Sequence, residues 1–446
     1  MRILHYSLGF PPYRTGGLTK FCIDLIKQQI WDKNEVALMW PGKMQFLCNK
    51  TKIKDCGKIK IEDTHIQSYE IINPLPVSYD EGIKDIEKFI AKGNPDAFIE
   101  LLEHFKPDVV HIHTLMGLHK CFLDEVKKKN IRLVFTSHDY FPICPKVTLF
   151  RNGNICSSSS ECRECGTCNT TALSINKIRI LQSSIYKKLK DSKLVKKIRK
   201  KHRDNYLGTT YNENSEVQVG NITDYKKLRE YYGSMLKMID IIHFNSKLTR
   251  NVYECVFGEL PGIVIPISHY NISNCKRYKK FDNEIIRIRY LGPYGDAKGF
   301  FFLEKVLDAL WNVRNDFVLD VHFKVAEVKP YMKEHRKYSY SDLENIFDET
   351  DILVAPSIWY ETFGFTVLEA LSYGVPVIIS DTVGAKDILA KGAGCVFKSG
   401  NMSELLSIFK SLNKEQLIQM NNVIVKSQKI ITLEEMANHI FTDCYR

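Results

Sequence analysis

Short apolar runs separated by segments of helical period recur along this chain, and that alternation commits it to parallel sheets covered by helices. Arg2-Ile-Leu-His-Tyr6, Glu35 to Met39, Asp108-Val-Val-His-Ile-His113 and Arg132-Leu-Val-Phe-Thr-Ser137 read as buried strands. Between them, Gly17 to Gln29 carries apolar residues at helical spacing, and Pro95 to Phe105 reads as a helix with an acidic start. Strand and helix signals return at Asp240-Ile-Ile-His-Phe244 and Leu248 to Val256. From Pro261 to Asn283 the period is lost amid Pro and Asn. A second alternating unit follows: strand Ile285 to Leu291, a helix from Lys298, strand Phe317 to Phe323, strand Asp351 to Pro356, then mostly helix after Val396. A chain of 446 residues has room for two cores. The expected fold class is α/β, with two doubly wound domains. The first spans 1–265, a linker 266–283, the second 284–428, and 429–446 is a helix crossing back to the first.

The hydrophobic content of 44% belongs to a globular chain. No apolar run reaches the ~18 residues that a membrane-spanning helix needs. Met1-Arg-Ile-Leu-His-Tyr reads as a first strand rather than an export signal, and thirteen cysteines is an odd number for a disulfide framework. A cytoplasmic protein is expected. The formal net charge of +11 is concentrated in Asn176–Arg203, which holds twelve Lys or Arg and one acid, Asp191. Ile178, Leu181, Ile185, Leu189, Val195 and Ile198 interleave that arm at near-helical spacing. An amphipathic basic helix of this kind suits an anionic membrane surface. Few aromatics accompany it, so nucleic acid is not the expected partner.

The residues with chemistry cluster at strand ends, where open α/β sheets bind ligands. Glu361-Thr-Phe-Gly-Phe-Thr-Val-Leu-Glu369 follows the strand Asp351–Pro356 and runs into a helix. Glu361 falls in the loop, Gly364, Phe365 and Thr366 at the helix start, and Glu369 one turn in. A helix N-terminus suits a diphosphate, and a carboxylate one turn on suits a vicinal diol. Gly16-Gly17 open the first helix, where backbone N–H groups can approach a ligand. His111 and His113 share one side of their strand. His111 reads as a buried, hydrogen-bonded histidine, and His113, nearer the strand end, reads toward the cleft, with His138-Asp139 a second pair of the same kind. Lys298, in Gly292-Pro-Tyr-Gly-Asp-Ala-Lys298-Gly299, can neutralise a departing diphosphate. Cys144, Cys156, Cys162, Cys165 and Cys168 fall within the irregular stretch 140–171, and four thiolates can wrap a tetrahedral zinc ion.

The segment Asp351–Asp387, with Pro356-Ser357, Trp359-Tyr360, the two glutamates and Gly374-Val-Pro376, resembles the donor-binding segment of family 4 retaining glycosyltransferases. The resemblance implies the GT-B fold, with its two Rossmann-like domains facing across a cleft, and transfer of a sugar from a UDP- or GDP-sugar, without a catalytic cofactor, to a glycan or polyprenyl-linked acceptor. By the same resemblance His113 and Glu361 are catalytic and orient the sugar. Gly16, Gly17, Lys298, Gly364, Phe365, Thr366 and Glu369 bind the donor. A bacterial surface-polysaccharide setting, capsule or O-antigen, on the inner face of the plasma membrane would follow. The family's usual Arg after the first glycine is replaced by Pro293, with Lys324 or Arg289 as candidate substitutes. No Asp-x-Asp pair occurs, which fits metal-independent chemistry. Members with His-Asp-Tyr-x-x-Cys-Pro resemble the cysteine loop, and that likeness selects Cys144, Cys156, Cys165 and Cys168 as ligands of a structural zinc. The alternatives are a nucleotide-sugar epimerase of the same fold and a non-catalytic zinc or nucleic-acid-binding module.

Overall fold

A computed structural model describes residues 1–48, 50–78, 81–156, 161–183, 186, 189, 192 and 222–446. Most of the basic arm Asn176–Arg203, including Lys193–Lys201, lies outside the described residues, as does 205–221. The first domain is built on eight strands: β1 (Arg2–Tyr6), β2 (Glu35–Pro41), β3 (Lys52–Ile61), β4 (Thr64–Ile72), β5 (Val109–Ile112), β6 (Arg132–Thr136), and, after a small hairpin of β7 (Phe150–Arg151) and β8 (Asn154–Ile155), β9 (Ile241–Phe244) and β10 (Gly262–Val264). Their order is β10-β9-β6-β5-β1-β2-β4-β3. All pairs are parallel except β3–β4.

The antiparallel β3–β4 hairpin is not among the strands the sequence pattern predicts. Lys52-Ile-Lys-Asp-Cys-Gly-Lys-Ile-Lys-Ile61 alternates lysine and isoleucine, the pattern of a solvated edge strand rather than of a buried one. At the other edge the strand β10 begins one residue after Pro261, within the stretch whose lost period predicts a linker.

The second domain has six parallel strands, β11 (Ile286–Tyr290), β12 (Phe317–Val321), β13 (Met332–Glu334), β14 (Ile352–Ala355), β15 (Val377–Ser380) and β16 (Gly394–Phe397). They are ordered β13-β12-β11-β14-β15-β16, and the parallel sheets sit in an α/β architecture. The helix expected from Lys298 begins at Phe300, after Gly299 in left-handed backbone (φ 78°). Only glycine fits there, because a side chain would collide with the Pro356 carbonyl.

One apolar cluster joins the two halves. Ile3, Phe21 and Val109 of the first domain pack in it with Val367, Leu368 and Ile379 of the second and with Met436, Ile440 and Tyr445 of the C-terminal segment. The helix Leu433–Ile440 and the turn Phe441–Tyr445 lie against the first domain, where Arg132 Nε donates to the Cys444 carbonyl at 3.1 Å. Both sheets thus turn the carboxyl ends of β1, β5, β11 and β14 toward a common cleft.

Candidate functional site

In the second domain, local backbone pins the acidic loop before any side chain acts. Glu361 N donates to the Thr382 carbonyl at 2.9 Å, and Gly384 N donates to the Glu361 carbonyl at 3.1 Å, so the loop runs as a single parallel bridge beside Val383. The helix Phe365–Ser372 starts there, capped by Gly364. Lys298 Nζ lies 2.7 Å from Glu361 Oε2 and over the Trp359 ring at 5.2 Å. Ser357 Oγ donates to the other Glu361 oxygen. Two residues singled out 63 positions apart in sequence therefore form one ion pair. Their side chains are 30% and 11% exposed, so a ligand can reach them. The Trp359 Nε1–H is shielded and has no acceptor among the described residues, an open donor beside that pair.

One turn into the same helix, Glu369 accepts from His269 Nε2 at 3.0 Å, and both groups are buried. Sequence reasoning missed His269, a lone histidine in the aperiodic linker with no local signal. Tyr338 and Tyr340 stand close by: burial, and then the Glu369 charge, pushes both hydroxyls up. Tyr338 also lines a cavity of about 190 Å³ with Arg289, His322, His335, Asn345 and Glu349. Arg289, a candidate substitute for the missing arginine, is committed to that cavity. It donates to Thr350 at 3.1 Å, contacts His322 at 3.3 Å and faces Asp320 at 3.7 Å. Lys324, the other candidate, is exposed.

Across the cleft, the Gly16–Gly17 turn meets the acidic loop's helix, for a Cβ on Gly17 would lie 3.6 Å from the Phe365 ring. Thr362 bridges the domains, its carbonyl accepting from Ser246 at 2.8 Å and Thr249 at 3.0 Å. Lys20, on the first helix, reaches over the Tyr340 ring at 5.4 Å.

The first domain places histidines on one face of its sheet. On that face each strand begins apolar and turns polar toward the cleft: Ile3 then His5, Val109 then His111 and His113, Val134 then Thr136, Ile241 then His243. Their hydrogen bonds follow one direction if every ring is the neutral Nε2–H tautomer, an assignment made from the network. Asn245 donates to His138 (3.4 Å), His138 to His113 (3.2 Å), His113 to His5 (2.9 Å) and His5 to Gln29 (2.7 Å). Gln29 donates to Tyr445 (2.9 Å), Tyr445 to His111 (2.7 Å), His111 to Thr136 (2.7 Å), Thr136 to His243 (3.0 Å) and His243 to the Ile265 carbonyl (2.7 Å). Burial disfavours the charged forms. It holds His5 and His243 at about 4, and His111, His113 and His138 well below the usual imidazole range.

His111 is the buried, bonded residue expected. His113 is enclosed as well, with both ring nitrogens taken, and the half-buried His138 stands between it and the edge of the cleft. Nitrogen atoms of His5, His111 and His113 lie within 4.8 Å of one another. Their rings are within 15–37° of parallel, however, so the in-plane lone pairs do not converge on one ion. Beside this network, burial pushes the Asp139 carboxyl up to about 6.

The cysteine loop is packed into the first core rather than draped over it: Tyr140, Phe141, Ile143, Leu149, Cys162 and Cys165 are all buried there. Cys144 feels the charges of Cys156 and Cys168, and burial first of all pushes it up to about 11. Cys165 shares a hydrogen bond with Cys162, which lowers the Cys162 thiol to about 7 and raises Cys165. Among the described residues these thiols are neighbours, without three sulfurs within 4.8 Å of one another.

Residues 332–429 match the family described as Glycosyl transferases group 1. A 42.6 kDa protein in the cps region of Klebsiella pneumoniae is 24% identical over 291 residues, which cover 64% of this chain and 60% of that one. A 41.2 kDa protein from the same region is 25% identical over 177 residues, 38% of this chain and 46% of that one. The chain thus spans about half to three-fifths of these relatives' lengths. Among solved structures, sucrose-phosphate synthase from Thermosynechococcus elongatus superposes with a TM-score of 0.56 at 13% identity, covering 99% of this chain and 97% of that one. The E. coli trehalose-6-phosphate protein bound with UDP-2-fluoro glucose gives 0.56 at 10%, covering 100% and 99%. Anabaena HepE in complex with UDP gives 0.54 at 13%, covering 99% and 100%. At such identities the likeness is one of fold, and these neighbours are GT-B glycosyltransferases. The chain has the GT-B fold, and its residues 332–429 match the glycosyltransferase group 1 family.

Proposed function

We propose that this protein transfers a sugar from a UDP- or GDP-sugar to a glycan or lipid-linked glycan, with retention at the anomeric carbon and without a catalytic metal. The observation that carries the reading is the Lys298–Glu361 pair at 2.7 Å beside the N-terminus of Phe365–Ser372. The diphosphate takes the helix N-terminus, and Lys298 neutralises the charge that grows as the sugar–phosphate bond breaks. Glu361 exchanges part of its contact with Lys298 for sugar hydroxyls. Glu369 accepts from the ribose, with His269 holding its other side, and the base lies toward Tyr338. In the front-face reaction drawn for family 4 enzymes, the acceptor oxygen bonds to the anomeric carbon on the side the phosphate leaves. The departing phosphate then takes the acceptor's proton, so no protein nucleophile is needed. Gly16 and Gly17 close on the donor from the first domain. For His113 to bond the sugar directly, His138 or His5 must release one of its nitrogens.

The cps-region relatives support a role in capsule assembly, and the UDP in two structural neighbours supports a nucleotide donor. The arm Asn176–Arg203 would hold the enzyme to an anionic inner leaflet. A structural zinc, where bound, would be held by Cys144, Cys156, Cys165 and Cys168, and metal analysis of the purified protein tests it. The function is tested by a thermal-shift screen of UDP-, GDP- and ADP-sugars with and without divalent ions, followed by NMR of the product anomer. A stabilising sugar nucleotide and a retained anomer are expected. A changed sugar nucleotide formed with no acceptor present would establish the epimerase instead, and no shift from any nucleotide would remove the donor site.

A further inference from the structure

The loop joining β2 to β3 leaves the cleft edge of the first sheet and exposes its most apolar residues. Phe46 is 59% exposed and Leu47 is 103% exposed, adjacent in sequence at the tip. Single apolar residues on a surface need no account. This pair does, because the protein braces the loop that carries it.

Asn73, buried and in left-handed backbone at φ 55°, clamps the loop's two ends. Its N–H donates to the Lys43 carbonyl at 2.9 Å, its Oδ1 accepts from Gln45 N at 2.7 Å, and its Nδ2 donates to the Lys50 carbonyl at 2.9 Å. Buried Gln182 adds a second tie, donating to the Gly42 carbonyl at 3.2 Å and accepting from Val77 N at 3.3 Å. Gln182 follows the helix Ile175–Leu181, on which Ile180 is 53% exposed and Arg179 stacks over Phe46 at 5.6 Å. These ties fix the loop at Gly42, Lys43, Gln45 and Lys50, on either side of the exposed pair.

The loop that carries the tip is basic, with Glu70 at its root accepting from Lys43 N at 3.3 Å. From Lys43 to Lys54 there are four lysines, at 43, 50, 52 and 54, and no acid. Lys50, Lys52 and Lys54 are exposed, as is Lys177 beside Arg179. An apolar wedge within a cationic collar is complementary to a bilayer with anionic headgroups: the wedge enters the acyl boundary and the lysines stay among the phosphates. A protein partner would have no need of so small an apolar tip set among basic side chains.

We infer that Phe46 and Leu47, with Ile180, insert into an anionic membrane and set the cleft edge of the first domain against it. The loop departs from the strand next to β1, whose own exit is the Gly16–Gly17 turn, and the two exits touch through Phe10 and Trp40 at 5.0 Å. A membrane docked there presents a lipid-borne acceptor to the cleft from the side. The inference deepens the membrane reading proposed above: it rests on the β2–β3 loop with the first turn of the arm, Lys177 to Ile180, and not on Lys193–Lys201.

The test uses Phe46→Trp in the full chain, with vesicles of phosphatidylglycerol and phosphatidylcholine whose acyl chains carry bromine. Vesicles should quench and blue-shift the new tryptophan relative to the parent's signal. Adding Leu47→Asp should lower vesicle binding at least tenfold while leaving sugar-nucleotide binding unchanged, which also reports that the variant is folded. Binding without quenching, abolished by neutralising Lys193–Lys201, would overturn the insertion and leave the arm as the anchor. Quenching that persists in the arm variant supports the loop on its own. Absence of vesicle binding in every variant overturns loop and arm together, and equal quenching by purely zwitterionic vesicles would overturn the requirement for anionic lipid.

Discussion

The two edges that face across the cleft solve the same problem, burying polar groups, in opposite ways. On the first domain, five histidines, Gln29, Thr136 and Tyr445 bond one another in a single direction, and the network carries no net charge. On the second, Lys298 pairs with Glu361 beside a helix N-terminus, and Glu369, one turn into that helix, accepts from His269. The first edge is closed on itself and suits neutral sugar hydroxyls at its rim. The second holds a cation that a diphosphate can take over from Glu361. Under the proposed function, charge is stored where charge must later be stabilised, and is excluded where only shape and hydrogen bonding are required.

The sharpest way to break that contrast is Lys298→Ala. Loss of a group that stabilises charge on the leaving phosphate should lower kcat by about 10²–10³-fold. Steady-state release of nucleoside diphosphate measures it, and turnover within a factor of two of the parent would place the essential cation elsewhere.

Acid should strike the first edge instead. With folded values near 4 and an unfolded value of 6.5, His5 and His243 bind more protons in the unfolded chain than in the native one through that window. Stability is therefore complete above pH 6.5 and falls as pH drops toward 4. From neutral pH to pH 5 each of the two costs about 2 kcal/mol. Asp139, raised to about 6, works the other way, regaining about 1 kcal/mol over the same interval. These three groups together give a loss of about 3 kcal/mol, and His111, His113 and His138, held well below the usual imidazole range by burial, add to it in the same direction, so denaturant titrations at the two pH values should show a drop of at least that size. Equal midpoints would mean that the histidines are hydrated in solution.

Glu369→Ala returns to the second edge. Removing a charged acceptor from the ribose should weaken donor binding by about 2 kcal/mol, some thirtyfold, read by calorimetry. Unchanged affinity would leave Glu369 as a structural partner of His269 alone.

The smallest effect separates the two glycines at the junction of the edges. Gly16→Ala forces a side chain onto φ 122° and should cost about 1 kcal/mol of stability, although nothing lies within 4 Å of the new carbon. Gly17→Ala, making ordinary contact with Phe365, should be nearly neutral. Thermal melts of both variants decide the order.

Much of the frame was legible because buried parallel strands must be apolar throughout, as Val109–Ile112 and Ile352–Ala355 are, and because glycine punctuates helix starts at 16–17, 299 and 364. The Lys52–Ile61 edge strand was not, since half its residues face water and read as loop. Glu361, Lys298 and Glu369 could be picked out from their places after strands. Their partners could not. His269 carries no pattern, Tyr445 lies 334 residues from the His111 it bonds, and Cys162 pairs with Cys165 although family likeness passes it over.

Taken alone, the sequence determined two α/β units, the loops from which chemistry issues and the sign of the charge on the 176–203 arm, because these follow from local periodicity and composition. Only the tertiary structure decided which residues meet. It joined Lys298 to Glu361, enclosed His113 between two other histidines, and held Phe46 and Leu47 out on a braced loop. Such pairings depend on how separate strands and helices come together in space, and no stretch of chain short enough to show a period contains that information.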